Sequence, residues 1–215
     1  MLPFTRMLQY GNDLSSVPVF ALYDFISTSD IVDRSPNKIP VSAFGYLPVG
    51  VDAYGTYMNF TGQAQWVEFN SSLLDLGELD IYIKISNFTY RSGIYSNQII
   101  DCRPAGTNGQ YFVAGYSSNA PAPYTLWMYY QSAGELQSTN TFPDTSAEPI
   151  EMLFKIRSTG TQLFVNDSLF FSTTAAISMV NQQYKIGKNA WVNNGAPSAP
   201  YLYGKIYRFE IRRPT

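Results

Sequence analysis

The sequence contains no histidine and one cysteine. The missing histidine removes the commonest metal ligand and the commonest general base together. The single cysteine, Cys102, excludes an internal disulfide. A nucleophilic thiol would need a base partner, and no histidine is there to serve. Cys102 sits in I-I-D-C-R, a strand pattern, so a buried structural thiol is expected. Charge is also sparse: Asp, Glu, Lys and Arg make up 14% of the chain, with a net charge of −2. The one compact basic group, Arg208, Arg212 and Arg213, is too small for a nucleic-acid footprint. No apolar run approaches the about 18–20 residues of a membrane span. Pro3, Arg6 and Gln9 interrupt any signal-peptide core. The expectation is a soluble chain without a cleaved export signal, with neither nucleic acid nor membrane as partner.

Aromatic residues are plentiful, at 16% of the chain. Tyr, Phe, Thr, Ser and Val are frequent, and no long segment is rich in Ala, Leu, Glu and Lys. This bias favours strands over helices. A length of 215 residues suits one large β-sandwich or two small domains. No linker divides residues 17–215, so one domain is expected there, preceded by an arm over 1–16. The arm carries Phe4, Met7, Leu8 and Tyr10 with Arg6. Such apolar residues need a surface to cover them, either their own domain or a partner subunit.

The stretch Ile150–Ser172 states the pattern most clearly. Apolar residues alternate through Met152, Phe154 and Ile156, then Leu163 and Val165, the period of half-buried strands. Ser158–Thr161 reads as a four-residue hairpin connection. Asn166-Asp167 reads as a two-residue type I′ turn, whose residues tolerate positive φ. The three strands are expected as a meander in the middle of an antiparallel sheet. Leu79–Phe88 is the cleanest alternating strand, with Leu79, Ile81, Ile83 and Ile85 on one face.

Further strands are expected at Val17–Ile26, in short pieces of Val41–Gly55, and as a pair around Thr61-Gly62 in Tyr57–Asn70. Others fall at Asn97–Cys102, Gln110–Ala114, Tyr124–Gln131 and Tyr184–Gly187. The last is Tyr203–Arg212, with Tyr203, Lys205, Tyr207, Phe209 and Ile211 on one face. Ser132–Glu148 reads as a polar loop, and Trp66 and Trp127 as core. About a dozen short strands with Gly, Asn and Ser turns fit an all-β, two-sheet antiparallel jelly roll. Four N-x-S/T sequons, at Asn59, Asn70, Asn87 and Asn166, are taken as chance occurrences.

The order of four motifs resembles the LamG-like (concanavalin A-like) jelly rolls. L-Y-D-F with D-R-S-P-N at Asp33–Asn37 is similar to the family's opening. Tyr57–Phe69 resembles its "L-x-F-d-G-x-x-x-y-V" hairpin. L-F-V-N-D-S-L at Leu163–Leu169 is similar to "l-Y-V-N-G-x-l". Y-K-I-G at Tyr184–Gly187, followed by G-K-I-Y-R-F-E-I at Gly204–Ile211, resembles the family's ending. The resemblance implies a sandwich with a tendency to bind sugars, and no single activity. The arm's R-M-L-Q-Y-G-N also resembles the start of tailed-bacteriophage structural proteins that carry such a domain.

Glycoside hydrolases on this sandwich use E-x-D-x-x-E, with nucleophile and acid/base in one groove. Glu78-Leu79-Asp80 begins that motif, but its third position is Ile83, so no catalytic residue is assigned and no enzyme is expected. Lectins of this fold that hold a transition metal use a histidine, which is absent here. Calcium needs only oxygens, and Asp33 and Asn37 are the candidates the resemblance suggests; a solvated turn is the favoured reading, with no cofactor. Aromatic rings stacked on sugar faces are the usual basis of carbohydrate binding, and Tyr116, Tyr124 and Trp191 are the loop candidates.

Two functions fit these features. The leading one is a non-enzymatic bacteriophage virion protein, a capsid decoration or a tail or fibre component assembled in the host cytoplasm. Its partners would be other virion proteins through the arm (Phe4, Arg6, Met7, Leu8, Tyr10), further copies of itself in a homo-oligomer, and host-surface polysaccharide. The alternative is a free or cell-surface carbohydrate-binding module or lectin.

Overall fold

Every regular element among the described residues of the computed structural model is a strand. The structure describes residues 19–24, 34–69, 77–88, 98–102, 112–116, 125–130, 134–175, 184–188 and 202–214. For 19–24, 98, 112–116, 125–130 and 134–137 the description covers the backbone alone. In chain order the strands are β1 (Val19–Asp24), β2 (Val41–Phe44), β3 (Val49–Asp52), β4 (Gly55–Thr61), β5 (Trp66–Phe69), β6 (Leu79–Ser86), β7 (Gln98–Asp101) and β8 (Phe112–Tyr116). They continue with β9 (Thr125–Tyr130), β10 (Gly134–Thr141), β11 (Ile150–Arg157), β12 (Gly160–Val165), β13 (Ser168–Thr173), β14 (Tyr184–Ile186) and β15 (Tyr203–Arg212).

They form two antiparallel sheets. The first has the order β13-β12-β11-β6-β15-β4-β3, with β1 added beside β15. The second has the order β10-β9-β8-β7-β14-β5-β2. Alternation decides which faces meet. Leu79, Ile81, Ile83 and Ile85 of β6 are buried, as are Ile150, Met152, Phe154 and Ile156 of β11. The register pairs Met152 with Ile83 and Phe154 with Ile81, so these side chains form one continuous inner surface. Val67, Phe69, Ile100, Tyr184 and Ile186 face them from the second sheet. Phe69 stacks on Phe209 across the gap, with ring centroids 5.0 Å apart.

The all-β sandwich, the β6 alternation and the Asn166-Asp167 turn agree with the sequence reading. Asn166 and Asp167 have φ of 48° and 65°, the pair of left-handed residues a type I′ turn requires. Other expectations are corrected. The β11–β12–β13 meander forms an edge of the first sheet, and β6 and β15 hold the centre. The β11–β12 connection is the two-residue turn Ser158-Thr159, since Arg157 already pairs with Gly160. Tyr57–Phe69 is no hairpin, because β4 and β5 belong to opposite sheets and the chain between them crosses the sandwich. The expected polar loop Ser132–Glu148 contains β10, which pairs with β9.

The last strand departs from simple alternation. A bulge between Ile206 and Arg208 inserts Tyr207 as an extra residue, and this re-aims the remainder of the strand. Ile206, Phe209 and Ile211 therefore face the core, while Lys205 and Tyr207 share the outer face. The Tyr207 hydroxyl meets Ser86 Oγ at 3.0 Å and donates to Asp52 Oδ2 at 2.8 Å.

Candidate functional site

Aromatic side chains gather where β2 ends and β5 begins. The ladder pairs Phe44 with Trp66 and Ser42 with Glu68. Val67 and Phe69 go to the core, so Trp66, Glu68, Phe44 and Ser42 stand on the outer face. Trp66 is half-buried there rather than a core residue, which corrects the sequence expectation. Phe44 lies against it almost parallel, with centroids 4.7 Å apart and 11° between the planes. β5 sits between β14 and β2, so Trp66 has Phe44 on one flank and the chain leaving β14 on the other. From that second flank Lys188 brings its Nζ to 4.9 Å from the indole centroid. Glu68 Oε1 holds the same ammonium at 3.2 Å. The result is a layered stack of ammonium, indole and phenyl ring, with Phe44 outermost on the edge strand.

The chain then turns so that a second ring is displayed. Gly45 has φ of 74°, and a Cβ there would lie 2.5 Å from the Ala64 carbonyl oxygen. Only glycine fits that left-handed, close approach. Behind it Gln65 is buried and fixes the bend: its Nε2 donates to the Tyr46 carbonyl, and its Oε1 accepts from Thr61 N and Oγ1, each at 2.9 Å. Tyr46 is left 82% exposed beside Phe44 at 37%. Two exposed rings thus stand two residues apart, Tyr46 on a loop fixed by Gln65 and Phe44 backed by Trp66.

The ligand candidates read from the sequence fall in different places. Tyr116 closes β8. Through Gln98 opposite Gly115, Ile100 opposite Ile186 and Ile186 opposite Val67, that end of β8 lies at the same end of the sheet as Trp66. Tyr124 and Trp191 lie outside the described residues, as do Asp33 and the arm residues Phe4, Arg6, Met7, Leu8 and Tyr10. Asn37 is exposed, in a turn where its amide donates to Ser35 Oγ at 3.2 Å. Among the described residues, no three His, Cys, Asp or Glu side chains gather as a metal set would.

Glu78 and Asp80 act as structural acids. Glu78 accepts from the Ser158 amide at 2.7 Å and hydroxyl at 2.5 Å, and these bonds hold its carboxyl below the ordinary value. Asp80 pairs with Arg157 at 2.7 Å. Burial, and then the charge of Asp101, push the Cys102 thiol well above its ordinary value. This matches an inert, buried thiol.

Phe44, Tyr46 and Lys188 were not legible as site residues, although a signal existed. Phe44 shares its parity with Ser42, and Trp66 shares its parity with Glu68. Each aromatic therefore belongs to the polar face of its strand.

No protein-family model and no curated protein matches the chain. Solved structures do. Domain 4 of AbnA, a GH43 extracellular arabinanase from Geobacillus stearothermophilus solved in complex with arabinotriose, is similar at TM-score 0.68 and 14% identity, over 92% of this chain and 93% of that one. The binding domain of Paraclostridial Mosquitocidal Protein 1 is similar at TM-score 0.64 and 10% identity, over 94% of this chain and 50% of that one. The botulinum neurotoxin type G receptor binding domain gives TM-score 0.58 and 10% identity, over 92% and 48%. The chain thus spans nearly all of the arabinanase domain and about half the length of the two toxin domains. At such low identities the likeness is one of fold: a two-sheet β-sandwich of the kind used in binding domains.

Proposed function

We propose that this chain is a non-catalytic carbohydrate-binding module and that Phe44 and Tyr46, backed by Trp66, form its saccharide platform. The observation that carries this reading is the exposed Phe44 ring held parallel to Trp66, with Tyr46 displayed beside it. A saccharide has an apolar C–H face and a polar rim. The rings match the first, and Lys188, Glu68 and Ser42 lie within the same patch to meet the second. The arabinotriose complex of the similar arabinanase domain and the receptor-binding role of the similar toxin domain support a binding function over a catalytic one. They also favour the carbohydrate-binding alternative over a bacteriophage virion component, for which they offer no support.

The test is glycan-array screening of the full chain followed by titration calorimetry with the best ligand, arabinan oligosaccharides included. Phe44→Ala and Tyr46→Ala should each weaken binding about tenfold, the equivalent of ~1.4 kcal/mol for one lost stacking contact. Tyr46 is 82% exposed, so its variant should keep the thermal midpoint, while Phe44→Ala gives up the Trp66 contact and should lower it modestly without unfolding the protein. A well-folded protein that binds no saccharide, or binds one equally well in both variants, would overturn the reading.

A further inference from the structure

A second surface lies on the outer face of the first sheet, at the edge built by β11, β12 and β13. A cleft of about 670 Å³ opens there. The registers pair Lys155 with Gln162, and Gln162 with Ser172. One ammonium, one amide and one hydroxyl therefore stand in a row across three strands, spaced about 4.8 Å apart. Arg157, Thr159 and Thr174 also line it.

The charges of this cleft are unequally satisfied. The Arg157 guanidinium is engaged within the fold: Asp80 Oδ1 at 2.7 Å, the Leu79 carbonyl at 3.1 Å and the Ile156 carbonyl at 3.0 Å. Glu78, the other acid nearby, is turned to the Ser158 amide and hydroxyl. Lys155 has no ion-pair partner among the described residues; its Nζ rests 5.0 Å from the centroid of the Phe164 ring. The hydroxyls of Thr159, Ser172 and Thr174 and the amide of Gln162 likewise have no protein partner among the described residues. Asp80 stands opposite Lys155 in the ladder but is held by Arg157, so the cleft presents a cation with no ion pair of its own within hydroxyl and amide groups that are free to donate and accept.

We propose that this cleft binds an acidic saccharide, placing a carboxylate or sulfate oxyanion against Lys155 and the sugar hydroxyls against Gln162, Ser172, Thr159 and Thr174. The inference rests on the glycan-binding reading for the polyol part of the ligand. It adds a site of different chemistry on the opposite sheet from Phe44 and Tyr46. Charge-assisted hydrogen bonds are the strongest a protein makes, so the oxyanion sets the selectivity and the hydroxyls set the fit.

The experiment uses the full chain with three probes: trigalacturonate, a sulfated disaccharide and neutral galactotriose, titrated at low and high sodium chloride. An acidic probe should bind, and its binding should weaken with salt. Lys155→Gln should reduce that affinity about tenfold or more, and Ser172→Ala should reduce it by a smaller factor. Phe44→Ala should leave acidic binding intact. Binding of only one acidic probe supports the proposal and identifies the oxyanion as carboxylate or as sulfate. Acidic binding that survives Lys155→Gln, or that is lost in Phe44→Ala instead, overturns it. Failure of both acidic probes while neutral saccharides still bind also overturns it, and leaves the platform on the second sheet standing. Failure of every saccharide removes both readings.

Discussion

Glu210 shows how a single residue is fixed by its surroundings. It has no solvent exposure, although alternation places it on the outer face of the first sheet opposite Tyr82. The Nε groups of Arg208 and Arg212, two residues away on either side, donate to its two carboxylate oxygens. The Arg212 guanidinium also lies 4.9 Å from the centre of the Tyr82 ring. Burial, followed by the charges of Glu151 and Glu210, pushes the Tyr82 phenol far above its ordinary value, so it stays neutral. Two of the three arginines in the basic C-terminal group therefore share one buried carboxylate within the fold. Removing one partner of a buried ion pair strands the other. Glu210→Ala should lower stability by about 3 kcal/mol, read as a shift in the urea midpoint. A loss under about 1 kcal/mol would match an exposed pair and refute the burial argument.

At the scale of elements, two tight turns set the β11–β13 meander. In the second, Asn166 contributes more than backbone conformation: its Oδ1 accepts from the Glu151 amide, and its own amide donates to the Glu151 carbonyl, both at 2.9 Å. Asp167 makes no such bond among the described residues, and it holds a left-handed φ of 65°. Glycine adopts that conformation without the Cβ clash but loses more chain entropy on folding. The first effect is the larger, so Asp167→Gly should stabilise by about 0.5 kcal/mol, while Asp167→Val should cost about 1–2 kcal/mol. Chemical denaturation of both variants decides it; equal midpoints would mean that the turn is not under this constraint. In the first turn the strand resumes at Gly160, where φ is 138° and a Cβ would lie 2.1 Å from the Thr173 carbonyl oxygen. That glycine lets β13 close against β12. The outer edge of β13 is also guarded, since Asn140 of β10 donates to the Phe170 carbonyl at 2.8 Å, a device that discourages edge pairing.

At the scale of the whole molecule, one polar network joins β3, β15 and β6. Asp52 Oδ2 accepts from Lys205 and Tyr207, and Asp52 Oδ1 from the Tyr54 amide. Desolvation pushes the Asp52 carboxyl up, but these hydrogen bonds outweigh it and hold the group below its ordinary 3.8. Its contribution is present above that value and is lost as pH falls through the lowered folded value. Lys205 is raised, first by its hydrogen bond to Asp52. Tyr207 is pushed up to about 12, first by desolvation. The folded state holds both protons more tightly than the unfolded chain, so their contribution is lost as pH rises from about 10 through the folded values. The expected profile of thermal midpoint against pH is flat through neutrality, falling below about pH 4 and again above about pH 10. In Asp52→Asn both limbs should flatten, because the titrating acid is gone and Lys205 and Tyr207 lose the partner that helps to raise them. An unchanged profile would show that the network carries no linkage. The same scale explains the separation of surfaces: the Phe44 platform and the Lys155 cleft lie on the outer faces of opposite sheets, so each can be altered alone.

What the sequence determined by itself was whatever depends on neighbours along the chain. Leu79, Ile81, Ile83 and Ile85 alternate because successive side chains on a strand must point to opposite faces. Asn166-Asp167 makes its turn because those residues tolerate left-handed backbone. Scarce charge and abundant aromatic residues set the all-β class. Tertiary structure decided what depends on pairing between distant strands, because hydrogen bonds along a strand edge do not select their partner by local sequence. It sent β4 and β5 to opposite sheets, put the meander at an edge, and inserted Tyr207 as a bulge that reversed the faces of β15. It brought Phe44 onto Trp66 across 22 positions of sequence, and Lys155, Gln162 and Ser172 into one row. Both candidate binding surfaces arise from such cross-strand meetings, which is why neither could be read along the chain.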